Sequence, residues 1–221
     1  MTTFKLTISI DEQGLNNLHS ADMSVTMFQA DSDSDWQIIA VLAEPQQTMD
    51  ITWDGKAAWV YISNYTIEDF KTLYINTSNP ALYGNYYTYN GSQISLSNQG
   101  SSGSVHLTNQ GNTSVTAGLA NKFSINNRDQ EQPSILTAES LLLYGMGTFP
   151  ANNNFYLTAI ANSLEVGMVI PKDAIPFANS AAYSTSSRIA VQPPLLLNFS
   201  TSLASQSVQF DAQLNQFVLQ S

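Results

Sequence analysis

The sequence predicts an all-β fold, mainly antiparallel, built as a β-sandwich or double β-sandwich with one or two short helices. Three observations carry that expectation. Apolar and polar residues alternate with period two along much of the 221-residue chain, a pattern that gives each strand a core face and a solvent face. The alternating runs are short and are broken by Gly, Pro, Asn and Asp, the punctuation of a many-stranded sandwich or barrel. Charged residues are only 11% of the chain against 43% hydrophobic. Roughly 25% charged is usual, so uncharged amides and hydroxyls must carry the surface.

In chain order, Phe4-Lys5-Leu6-Thr7-Ile8-Ser9-Ile10 places Phe4, Leu6, Ile8 and Ile10 on one face of a first strand. Asp11–His19 follows as a short helix candidate. Strands are then predicted at Val25–Phe28, Ile38–Leu42, Thr48–Trp53, Ala58–Ile62, Tyr86–Tyr89 and Ser104–Leu107. A second helix candidate, Thr137–Tyr144, precedes strands at Phe155–Ile160, Val166–Ile170, Leu195–Phe199, Ser207–Phe210 and Phe217–Leu219. One β-rich domain over 1–221 is expected. A division into two β halves would fall near 126–133, a polar stretch ending in Pro133.

Two Gly-containing turns predict hairpins. Asp54-Gly55 fits a two-residue turn that needs positive φ angles; it would pair Ile51 with Ala58 and Met49 with Val60. The other face would set Asp50 against Trp59, and Thr48 against Tyr61. Asn90-Gly91 repeats the signal and would bring Tyr87 to Ile94 and Tyr86 to Ser95. Leu96-Ser97-Asn98-Gln99-Gly100 and Leu107-Thr108-Asn109-Gln110-Gly111 form a short repeat, expected to be successive strands of a meander.

Seven basic residues stand against seventeen acidic ones, a net charge of -10. Nucleic-acid binding needs clustered Lys and Arg to displace counterions, and the basic residues here are scattered singly. An anionic membrane would also repel the chain, whereas a neutral glycan would not. With no cysteine, thiolate chemistry and disulfides are excluded. No apolar run approaches the roughly 20 residues of a membrane helix. Met1–Asp11 resembles a first strand more than a signal peptide, so the expected location is cytoplasmic, or exported without an N-terminal signal.

Few residues announce chemistry. Asp31, Asp33 and Asp35 alternate with serines and could offer hard oxygens to calcium. Trp36 and Leu42 stand where an EF-hand needs its glycine and glutamate, so a solvated loop is the favoured reading and no cofactor is expected. His19 and His106 are the only histidines; His106, between Val105 and Leu107, is expected to point outward from a strand. There is no G-x-S-x-G elbow, P-loop or dinucleotide fingerprint. Aromatics are the richer signal. Trp59, Tyr61 and Tyr86, with Asp50, are the candidate ligand-binding residues, because flat rings beside polar groups suit sugar recognition.

Val25-Thr26-Met27-Phe28-Gln29, the Asp-rich turn after it, Ile39-Ala40-Val41-Leu42-Ala43, Met49-Asp50-Ile51-Thr52-Trp53 and Trp59-Val60-Tyr61 resemble, in their order, the bacterial rhizosphere-induced (RhiA-like) protein family. Val191-Gln192-Pro193-Pro194-Leu195-Leu196-Leu197-Asn198-Phe199 is similar to its C-terminal region. The resemblance implies an abundant, β-rich bacterial protein with no catalytic residues to carry over. The expected function is therefore a non-enzymatic binding or surface-interaction protein, directed at a glycan or host surface, with homo-oligomerisation as a means of avidity. The alternative is a pore-forming or host-targeting toxin that uses a Ser/Thr-rich hairpin at 92–116. Two transmembrane strands would fit that length, although Ser, Asn and Gly occupy positions that should face lipid. A hydrolase with an unsignalled carboxylate pair ranks third.

Overall fold

Alternation in strand β1 (Thr3–Ile10) is realised in full, with Phe4, Leu6, Ile8 and Ile10 all buried. The chain then enters helix α1 (Glu12–Ser20), because Asp11 caps it: its extended backbone turns in and its carboxylate accepts from the Gly14 N–H at 2.7 Å. The computed structural model describes residues 2–30, 34–101, 103–161, 163–175 and 193–220. Strands β2 (Met23–Gln29), β3 (Trp36–Ala43), β4 (Thr48–Asp54), β5 (Ala57–Ser63), β6 (Thr77–Leu82), β7 (Tyr86–Tyr89) and β8 (Ile94–Asn98) follow. Next come β9 (Ser104–Asn109), β10 (Val115–Asn121), β11 (Phe123–Ile125), β12 (Arg128–Asp129), β13 (Ser134–Ile135), β14 (Glu139–Leu141) and β15 (Met146–Pro150). The last are β16 (Asn154–Ala161), β17 (Val169–Pro171), a 3-10 turn at Lys172–Ala174, β18 (Leu195–Asn198), β19 (Ser205–Asp211) and β20 (Gln216–Leu219).

These strands form four sheets. Their orders are β12-β11-β4-β1-β19-β20, β13-β10-β5-β6 with β14 also on β10, β15-β9-β7-β8, and β17-β3-β2-β16-β18. Pairing is antiparallel except between β1 and β19 and between β7 and β9. Every sheet draws strands from both sides of residues 126–133. The first and last sheets pack over a core of Phe4, Leu6, Ile8, Met27, Ile51, Trp53, Leu157 and Val208. The middle two enclose Val60, Ile62, Tyr87, Leu107, Leu119 and Phe149. A further cluster, with Ile38, Tyr61, Leu73, Ala120 and Val169, ties β3 and β17 to the other face of β5 and β10. Among the described residues the architecture is an all-β double sandwich with one short α-helix.

Residues Asp54-Gly55 do not make a hairpin. β4 pairs with β1 and β11, and β5 pairs with β10 and β6, so Ile51 is opposite Leu6 and Ile125, not Ala58. The chain instead passes from one sheet into the next. Trp53 faces Phe123 and Trp59 faces Ala120, so along the β10–β11 side Asp54–Ala58 span the place of just Asn121 and Lys122. That excess bends the strand. The Asp54 carboxylate accepts from Lys56 N–H at 2.8 Å, and Asn121 Nδ2 donates to the Asp54 carbonyl at 3.0 Å. Gly55 has no positive φ. It is required for space, because a Cβ there would run into the ring of Phe4, with even Cδ2 only 2.6 Å away.

Asn90-Gly91 does turn a hairpin, but over four residues. Asn90 N–H donates to Gln93 O, while its side-chain oxygen accepts from the N–H groups of Ser92 and Gln93. Tyr89 therefore faces Ile94 and Tyr87 faces Leu96, and a bulge sets Tyr86 opposite Asn98 instead of Ser95. The repeat copies end β8 and β9, yet β7 lies between those strands. Residues 92–116 are thus neither a meander nor a single hairpin. Thr137–Tyr144 is not helical either. Leu136 and Thr137 donate to Leu119 O, the Thr137 hydroxyl accepts from Leu119 N–H at 3.0 Å, and β14 pairs with β10. Partners on β10 take the place of helical ones.

Candidate functional site

The sequence-predicted residues are not brought together. Asp50 lies on the first sheet, Trp59 and Tyr61 on the second and Tyr86 on the third. The expected neighbourhood of Asp50, Trp59 and Tyr61 depended on the hairpin at Gly55, and that of Tyr86 on the separate turn at Asn90-Gly91. Asp50 is tied into the sheet: it accepts from Lys5 Nζ at 2.9 Å and from the Thr7 hydroxyl at 2.7 Å, and Asn126 brackets its backbone with two bonds of 2.8 Å. The hydrogen bonds from Lys5 and then Thr7 hold its carboxyl below the usual range. Tyr61 is a core residue, fully buried, its hydroxyl donating to Thr137 O at 2.8 Å and its phenol pushed up by burial. It is removed from any ligand-facing surface.

Trp59 is half-buried against the cluster between the sandwiches, with Lys122 Nζ 5.3 Å from its ring centroid. Tyr86 stacks on His106, centroids 4.3 Å apart and planes 11° from parallel, and a Cβ at Gly100 would lie 3.0 Å from the same tyrosine. His106 does point outward, between buried Val105 and Leu107, and its Nδ1 lies 3.1 Å from Thr148 Oγ1. Asp31 and Asp33 lie outside the described residues. Asp35 is exposed, and its carbonyl accepts from Lys172 N–H. Among the described residues no group of three or more His, Asp or Glu is placed to hold a metal ion.

A different surface gathers the chemistry expected of a binding site. The connection from β5 to β6 presents Tyr65, Phe70 and Tyr74, each about half exposed, around a cleft of about 380 Å³. The Tyr65 and Tyr74 rings meet at 5.3 Å with a 60° tilt. Glu68, Lys71 and, from the approach to β17, Glu165 line the same cleft. Thr66 donates to Glu68 at 2.7 Å, and Thr72 donates to Glu165. Each carboxylate is thus aimed through one oxygen by a neighbouring hydroxyl.

The loop is held firmly. At its neck Asn76 N–H donates to Ile62 O, the Asn76 side-chain oxygen accepts from Asn64 N–H, and Thr116 donates to Tyr65 O. At its far side Phe70 and Leu73 donate to Val169 O and Gly167 O, and Val169 donates to Lys71 O. Leu73 is buried as an anchor. Phe70 has φ +56, a left-handed backbone that costs a non-glycine residue about 1–2 kcal/mol. Such strain persists only where surroundings enforce it, and it concentrates at functional surfaces. Here it turns a phenylalanine ring toward solvent.

The sequence did contain a trace of this site. Three aromatics fall within Tyr65–Tyr74 beside Glu68, Asp69 and Lys71, in a stretch without the alternation that would give the rings a core face. A cleft of about 430 Å³ where β1 runs into α1 beside β19 contains Asp11 and Asp211. Those carboxylates already accept from backbone N–H groups, Asp11 from Gly14 and Asp211 from Gln213 and Leu214. No protein-family model, curated protein or solved structure matches the chain.

Proposed function

We propose that the protein is a non-enzymatic binding protein that recognises a neutral saccharide through the Tyr65–Phe70–Tyr74 cleft. The observation that carries this reading is the set of three half-exposed rings beside two oriented carboxylates on a clamped loop. Rings stack against the C–H faces of a sugar, and carboxylate oxygens accept from its hydroxyls. A clamped loop loses little entropy on binding. The resemblance to the rhizosphere-induced family supports a bacterial setting and a non-catalytic role.

A stacked ring contributes about 0.5–1.5 kcal/mol, so a single cleft would bind weakly. Useful affinity would come from several copies engaging a decorated surface, which is why a homo-oligomer belongs to the proposal. The test is a neutral-oligosaccharide array followed by calorimetry on the hits. Tyr74→Ala and Phe70→Asn, the latter chosen because asparagine tolerates a left-handed backbone, should each weaken binding about two- to tenfold, while Trp59→Ala should not. Equal binding by all three variants would sink the assignment.

A further inference from the structure

The charges of this protein are segregated. From Thr72 to Asn121 the sequence contains no Asp, Glu, Lys or Arg, and from Ser140 to Leu164 again none. These stretches supply the whole of the third sheet, β7, β8, β9 and β15, together with β6 and β10 of the second. The sandwich of the second and third sheets therefore carries few charges, Lys56 beside β5, Glu68, Asp69 and Lys71 in the β5–β6 connection and Glu139 in β14, and most of the net charge of -10 lies elsewhere.

At the turn from β14 to β15 this sparsely charged sandwich bears an apolar tip. Leu142, Leu143, Tyr144 and Met146 are 43–75% exposed. They cannot fold back onto the core, because buried Asn109 pins their backbone. Its Nδ2 donates to Thr113 O, Leu141 O and Leu142 O at 2.8, 3.3 and 3.2 Å, and its Oδ1 accepts from Gly111 N–H at 3.0 Å. Its main chain accepts from Tyr144 N–H and donates to Gly145 O. Tyr144 itself is left-handed, with φ +59. The fold thus holds four large apolar side chains out in water at a cost in strain and exposure.

We propose that this tip docks the sparsely charged sandwich onto the interface of a zwitterionic lipid bilayer. Tyrosine and leucine are residues of the membrane interface, where an apolar body and a hydroxyl are both accommodated. From Ser140 onward the tip's own segment has no charged side chain to desolvate in the headgroup layer, and the nearest carboxylate in sequence, Glu139, stands at the start of β14. A tip without basic side chains gains nothing from anionic lipid, and the net negative charge of the chain is repelled by such lipid. The charge distribution thus selects a neutral surface. The site shares no residue with the saccharide cleft and does not depend on it.

The experiment is flotation of the full chain with vesicles of phosphatidylcholine alone and with phosphatidylserine added. The wild type should float with phosphatidylcholine, and less well at low salt once phosphatidylserine is present. Leu142→Ser combined with Tyr144→Asn keeps the left-handed backbone while removing the apolar tip; it should lower the bound fraction about tenfold or more with an unchanged melting temperature. Failure of the wild type to float, or equal flotation of the double variant, would overturn the proposal. So would a concentration-dependent dimer, seen by sedimentation and abolished by the double variant, in a protein that ignores vesicles: the tip would then be a contact between copies. If binding required glycolipid in the vesicle and were lost in Tyr74→Ala alone, the cleft would stand and the tip would not.

Discussion

Replacing Gly55 with alanine tests whether the Asp-Gly pair is a sheet-crossing kink or a hairpin turn. Gly55 has no positive φ, so its backbone accepts alanine and the effect is steric. The new Cβ would meet the Phe4 ring, with Cδ2 at 2.6 Å and Cζ at 2.7 Å. That ring has nowhere to go. It is 2% exposed, with Trp53 and Phe199 each 5.7 Å away between centroids. Forcing a methyl into a packed core costs about 1–3 kcal/mol, and the stiffer unfolded chain returns about 0.4–1 kcal/mol. The expected net loss is about 1–2 kcal/mol, or about 2–8 °C in melting temperature for a chain of this size. Urea denaturation followed by tryptophan fluorescence measures it. Gly55→Asn should be worse still, and Phe4→Leu should relieve Gly55→Ala in a double-mutant cycle. If Gly55→Asn were as stable as the wild type, or the double mutant simply additive, the residue would be serving a left-handed turn and the kink would be the wrong account.

Two further perturbations are decided by single groups. The Asp50 carboxyl is held below its ordinary range by hydrogen bonds from Lys5 and then Thr7, so its stabilisation is complete above about pH 4 and is lost as pH falls through the lower folded value. Since both partners are more than a third exposed, Asp50→Asn should cost no more than about 1 kcal/mol at pH 7, and the loss should vanish by about pH 2 in chemical denaturation; an equal loss at both pH values would contradict it. Asn109→Ala removes one donor group from Thr113 O and Leu142 O and an acceptor from Gly111 N–H; orphaned buried groups cost about 1–3 kcal/mol each. It should destabilise by about 2–4 kcal/mol and speed amide exchange of Tyr144, whereas unchanged exchange there would mean that the tip is held by something else.

Strand existence was legible because period two survives wherever one face is buried and the other wet. β1, β4 and β9 show this in their residues. Strand β10 hid from the same test. It is buried along its whole length between two layers, so no alternation remains, and Gly118 in its middle resembles a break. That glycine is there because the carbonyl of Thr137 occupies the place of its Cβ, a contact from a segment nineteen residues away in sequence. Pairing was harder than existence. Nothing local distinguishes Asp-Gly as a turn from Asp-Gly as a bend, since the deciding atom is the Phe4 ring about fifty residues upstream.

The same non-locality explains why the candidate site moved. Asp50, Trp59 and Tyr61 were one surface only if β4 and β5 were partners; once β1 and β11 take β4, and β6 and β10 take β5, the three residues separate. Tyr61 then pairs with Gly118, the glycine against which Thr137 packs, and its hydroxyl donates to the Thr137 carbonyl. A tyrosine in an alternating strand is more often a core residue with a satisfied hydroxyl than an exposed platform. The rings of Tyr65, Phe70 and Tyr74 lie in a segment that alternation does not organise, and a polar loop that keeps three aromatics has no core face to offer them. The aromatic that lacks a strand is therefore the more informative one, and the Leu142–Met146 tip follows the same logic: its apolar residues have no periodicity to give them a core face, and a buried asparagine fixes their backbone in that exposed position.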